Sequence, residues 1–118
     1  MIFFSVNKAG TLKDLINHRY IKSLLTLHKI YFVEVLGVYK GIKEASLLVS
    51  SKHLAQVKRI ASQYDQESIL IVDDKTKSAT LHFLNTGKKE SLGTLKAIDK
   101  VDGKNSYSMI NGKFFICE

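Results

Sequence analysis

The sequence predicts an α+β domain in which a layer of helices lies on an extended, mainly antiparallel sheet. Three observations carry this. Helix-period and strand-period segments alternate through Val72 in the order β-α-β-β-α-β. Further strand-like segments follow from Ala79 onward. The pair Asn111-Gly112 stands between apolar residues and is the strongest hairpin signal in the chain.

The elements follow in order. Ile2 to Val6 reads as a short buried strand. Asn7-Lys-Ala-Gly10 makes a turn, and Thr11 caps a helix that runs to about His28, with Leu12, Leu15, Ile16, Leu24 and Leu27 at helical spacing and Arg19 and Lys22 on the wet side. Ile30 to Tyr39 is rich in β-branched and aromatic residues and predicts a long strand. Gly41 breaks it, and Glu44 to Ser50 returns. Ser50 or Ser51 caps a second helix carrying Leu54, Val57, Ile60, Ala61 and Tyr64 on one face. Asp65-Gln66-Glu67 turns the chain into the strand Ser68 to Val72. Ala79 to Leu84, Gly93 to Ile98 and the C-terminal hairpin complete the set. The order through Val72 is the ferredoxin-like split pattern, with additional C-terminal antiparallel strands. Such a sheet has a second face to cover, and with this much apolar residue content a partner subunit is expected there.

The 118 residues, 45% of them hydrophobic, suffice for one core, so a single domain over residues 1–118 is expected. No apolar run approaches the roughly 18 residues of a membrane span. The N-terminus places its apolar residues before its first lysine, the reverse of a secretory signal, so a cytoplasmic protein is expected. One cysteine, Cys117, excludes an internal disulfide and any multi-cysteine metal site, and the four histidines share no ligand spacing, so no metal is expected. The net charge of +7 raises the question of nucleic acid. The lysines, Lys58 and the Lys88-Lys89 doublet among them, are scattered over different elements, which argues against it.

The chain lacks a Gly-rich phosphate loop, a Gly-x-Ser-x-Gly elbow and a His-Glu-x-x-His motif. The stretch that invites chemistry is Gly37-Val-Tyr-Lys-Gly-Ile-Lys-Glu44-Ala-Ser, a tyrosine between glycines followed by a glutamate that opens a strand. A carboxylate there, beside an aromatic ring, can hold a small cation. The same stretch also reads as an ordinary hairpin. RNA recognition is a second possibility, because Ile2-Phe-Phe-Ser-Val-Asn7 looks like the first-strand motif of the RNA-recognition fold. The base-stacking positions of its third strand are Ile42 and Glu44 here, and a carboxylate repels the adjoining phosphates. A regulatory nucleotide binder resembling the PII proteins is a third possibility, carried by topology alone.

Gly37 to Ser46, the helix after it, Tyr64-Asp-Gln-Glu-Ser-Ile-Leu-Ile-Val72 and Ala79-Thr-Leu-His-Phe-Leu84 together resemble the small S-adenosylmethionine lyases of phages, long called SAM hydrolases. The likeness runs from about Tyr31 to Asp99. It implies cleavage of S-adenosylmethionine to methylthioadenosine and L-homoserine lactone without a cofactor, in a homotrimer with sites between subunits, in the cytoplasm of an infected bacterium, where loss of the methyl donor blunts host methylation and restriction.

The implied chemistry needs little from the protein. The sulfonium leaves as a neutral thioether and needs no acid, and the substrate's own carboxylate attacks its γ-carbon. Positioning alone lowers such a barrier by up to about 7 to 11 kcal/mol. The resemblance assigns Glu44 to the substrate's α-ammonium and Tyr39 to the sulfonium or the carboxylate, with Gln66 and Ser68 as further ligand contacts. Each has a plainer reading: a solvent-facing strand residue for Glu44, a hairpin cover for Tyr39, a turn cap for Gln66. The adenine-stacking residue is not identified; Tyr31, Phe32 and Phe83 are candidates that also read as core.

Overall fold

The computed structural model describes residues 1–8, 12–39, 41–64, 66–100 and 106–118, and for residues 5–8, 13, 14, 39 and 42 the backbone alone. The elements are β1 (Ile2–Lys8), α1 (Leu12–Leu27), β2 (Phe32–Tyr39), β3 (Ile42–Val49), a 3-10 turn (Ser51–His53) leading into α2 (Leu54–Gln63), β4 (Ser68–Val72), β5 (Ser78–Phe83), β6 (Lys89–Ile98), β7 (Tyr107–Ile110) and β8 (Lys113–Cys117). The expected caps and turns at Ala9 to Thr11 and at Asp65 lie outside the described residues. Ser50 is the cap before the second helix, its hydroxyl accepting from the Lys52 amide at 3.4 Å. Asn111 and Gly112, both at positive φ, make the tight turn between β7 and β8.

Every strand pairing is antiparallel, and the strands close into a barrel in the order β1-β3-β2-β7-β8-β6-β5-β4. The mixed α+β class and the extra C-terminal strands are as expected. The open second face is not. β7 pairs with β2, β8 joins β7 to β6, and the sheet has no free edge. The last strands therefore turn what would be an uncovered face into a barrel interior.

Two apolar clusters follow from strand alternation. Outside the barrel, Ile2, Phe4, Leu47, Val49 and Ile69 receive Ile21 and Leu25 of α1 and Val57, Ile60 and Ala61 of α2. Inside, Phe3, Val35, Val72 and Ala79 meet Leu48, Leu70, Leu95 and Ile110. Helix α1 corrects the sequence reading, because Leu12, Leu15, Ile16 and Leu27 are exposed and the buried stripe is His18, Ile21 and Leu25. Apolar residues lie on nearly every side of this helix, so spacing did not single out the face that docks. The choice is reinforced by charge. Lys22 Nζ donates to Glu34 Oε1 of β2 at 2.7 Å, and His18 Nε2 lies 3.8 Å from the same oxygen. The Lys22 hydrogen bond, ahead of its charge and that of His18, holds the Glu34 carboxyl below its usual pKa.

Candidate functional site

Glu44 sits on β3 in direct register with Gly37 of β2 and Lys8 of β1, and Gly37 pairs on its other side with Ser108 of β7. Alternation gives Glu44 the face of Ser46 and Leu48, which turns inward. Gly37 is required by close approach: a Cβ built there would stand 2.6 Å from the Tyr107 carbonyl oxygen and 3.3 Å from the Ser108 Cα. A side chain at this position would push β7 away and break the seam that closes the barrel.

An open groove of about 460 Å³ lies over this seam, within the ~300 to 1,000 Å³ span of small-molecule sites. Leu36, Val38 and Ala45 supply apolar walls, Lys43 a cation, and Gly37 and Glu44 line it as well. Tyr107, Met109 and Phe114 complete it from the C-terminal hairpin, with the Tyr107 and Phe114 rings edge to face, centroids 5.9 Å apart at 83°. By register Leu36, Val38, Lys43 and Ala45 lie on the strand face opposite that of Gly37 and Glu44, so the groove is on the outside of the barrel with Gly37 and Glu44 in its floor, and its apolar, aromatic and single-lysine surface suits a ligand that is part apolar and part anionic.

The sequence-predicted residues divide around this groove. Glu44 lines it. Tyr39 ends β2, paired with Ile42 two residues beyond the Gly37–Glu44 pair, and its side chain lies outside the described residues. Gln66 follows α2, its amide donating to the Ala61 carbonyl at 2.9 Å, and Ser68 opens β4 opposite Phe83. Both belong to the end of the barrel that carries the start of β3, but β1 intervenes between β4 and β3, setting Ser68 roughly 10 Å to the side of Glu44. Neither Gln66 nor Ser68 lines the groove.

Of the three aromatic candidates, Tyr31 is 81% exposed, Phe32 packs on the outer core, and none of Tyr31, Phe32 and Phe83 lines the groove. The rings that do line it, Tyr107 and Phe114, carry no motif of their own in the sequence. The available signal was the Asn111-Gly112 turn, which sets Met109 opposite Phe114 across the hairpin, with Tyr107 beyond them.

A model of the S-adenosylmethionine lyase family matches residues 7–118, and so takes in the C-terminal hairpin as well as the central strands. No curated protein matches the chain.

Proposed function

The chain belongs to the S-adenosylmethionine lyase family, and from that premise we propose that it cleaves S-adenosylmethionine to methylthioadenosine and L-homoserine lactone, acting as one domain over residues 1–118. The observation that carries the reading is Glu44 at the barrel seam, in direct register with Gly37 and under a mostly apolar groove. A single acid in that setting binds the α-ammonium of the substrate's methionine end. The substrate carboxylate is then left to attack its own γ-carbon. The electron pair of the breaking C–S bond returns to sulfur, the sulfonium becomes a neutral thioether, and the carboxylate oxygen closes the lactone ring. No proton needs to move, which accounts for a site without an acid–base pair.

Tyr39, two residues past Gly37 on the same strand face, is assigned to the sulfonium, where a desolvated cation–π contact is worth about 2 kcal/mol. The apolar walls and the Tyr107–Phe114 pair suit the thioether and the adenine. Gln66 and Ser68 lie across β1 from Glu44 and are assigned to the far end of the ligand. The groove is open on one side, and Leu12, Ile16 and Tyr20 of α1 and Leu36 of β2 are exposed apolar residues. Both features favour a homotrimer in which a neighbouring subunit walls the site. Among the described residues no helix is long and apolar enough to cross a membrane. The assigned role is action in the cytoplasm of an infected bacterium, draining the methyl donor and so blunting methylation and restriction.

The test is incubation with S-adenosylmethionine and mass spectrometry of the products at early times. Methylthioadenosine with homoserine lactone is the expected pair. Homoserine as the first product means attack by water, and unchanged substrate ends the reading.

A further inference from the structure

Away from the groove, the structure brings together two lysines and a histidine that the sequence leaves scattered. His82 of β5 and Lys89 of β6 are direct cross-strand partners. Ile69, on the other side of His82, is part of the outer core, so this row faces outward, beside the helices. Helix α2 packs on β1 and β4, the strand next to β5, and its exposed Lys58 lies close enough for its charge to act on His82. The next row on the same face pairs Thr80 with Ser91, adding two hydroxyls.

Among the described residues none of Lys58, His82 and Lys89 makes an ion pair. Glu90 follows Lys89 and by alternation turns to the other face. Burial first, and then the charges of Lys89 and Lys58, hold the His82 imidazole pKa below its usual value, so near neutral pH the two lysines carry the positive charge and the imidazole is a hydrogen-bonding group between them. The whole chain carries +7, so this cluster adds to a field that already draws anions.

We propose that Lys58, His82 and Lys89, with the Thr80 and Ser91 hydroxyls beside them, form a surface that binds the phosphodiester backbone of a nucleic acid. Two exposed lysines are too open to retain one small phosphate against water. A polymer that presents phosphates in series and releases condensed counterions suits them. Recognition is of backbone rather than sequence, because the two rows hold no phenylalanine, tyrosine or tryptophan to stack on a base. The surface shares no residue with the Glu44 groove and stands or falls separately from the lyase reading.

The experiment is a fluorescence-anisotropy titration of a labelled DNA duplex at several salt concentrations. Expected is sequence-independent binding whose log affinity falls linearly with log salt. Replacing Lys58 and Lys89 by glutamine lowers the magnitude of that slope by about 2, one for each lysine that no longer neutralises a phosphate. Reversing both charges with K58E/K89E weakens binding at least tenfold at low salt. The control K96E/K113E makes the same change in net charge at exposed positions elsewhere and leaves most of the affinity intact. Thermal melting confirms that each variant is folded. The proposal is overturned by a wild-type protein that does not bind the duplex, by a control as damaging as K58E/K89E, or by inorganic phosphate that competes as well as the duplex at equal phosphate concentration.

Discussion

Gly37 faces Glu44 in direct register across β2 and β3, and the same glycine lets β7 approach so closely that a Cβ would stand 2.6 Å from the Tyr107 carbonyl oxygen. One residue thus admits β7 to the seam and stands directly opposite the acid. Because the obstacle is backbone, Gly37→Ala can be accommodated only by moving β7, at a cost of about 1 to 3 kcal/mol. Urea unfolding should show a lower midpoint and turnover should fall with it, since Tyr107 and Met109 move with β7. An unchanged midpoint would show that the seam is looser than this geometry.

Glu44→Gln keeps the size of the side chain and removes its charge. If the carboxylate holds the substrate's ammonium, losing one partner of that pair costs about 2 kcal/mol or more. The expected result is a fall of roughly 30-fold or greater in kcat/KM with little change in melting temperature. Activity within a factor of about two of wild type would mean that the ammonium is held elsewhere.

Much of the outer fold was legible because it depends on local signals. The strand Ser68–Val72, the Ser50 cap and the Asn111-Gly112 turn each follow from residues within a few positions of one another. Barrel closure was not legible, because it rests on the pairing of Gly37 with Ser108, two residues far apart in the chain whose meeting no periodicity records. Helix α1 misled for a different reason. Its docking face is chosen by His18 and Lys22 reaching Glu34 as well as by Ile21 and Leu25, while Leu12 and Ile16 stay exposed. The groove was only half legible for the same physical cause. Glu44 stands out beside a glycine-flanked tyrosine, but the groove also needs Tyr107, Met109 and Phe114, which only closure brings to it.

The Tyr107–Phe114 pair makes the C-terminal hairpin a wall of the groove as well as a seal of the barrel. Phe114→Leu keeps apolar bulk and removes a ring from the groove wall, where an aromatic contact with a bound ring is worth about 0.5 to 1.5 kcal/mol. If the rings hold the adenosine end, KM should rise by about two- to tenfold with kcat nearly unchanged, the pattern expected when ground state and transition state are weakened equally. A fall in kcat at constant KM would instead place Phe114 against the reacting end of the substrate.

His82 makes the stability of the protein depend on pH. Burial, followed by the charges of Lys89 and Lys58, disfavours its imidazolium, so its folded pKa lies below the ordinary value of 6.5. As pH falls, the unfolded chain takes up this proton first. Stability is therefore full above the unfolded pKa and is lost as pH falls from there through the folded one. Urea unfolding of wild type and His82→Asn from about pH 8 to pH 5 should show a smaller loss in the variant. In the wild type, NMR titration of the ring protons should place the His82 midpoint below 6.5. Lys89→Gln removes one of the opposing charges and should move that midpoint upward. A His82 midpoint at or above the ordinary value, or one indifferent to Lys89, would mean that the imidazole lies outside the field of these lysines.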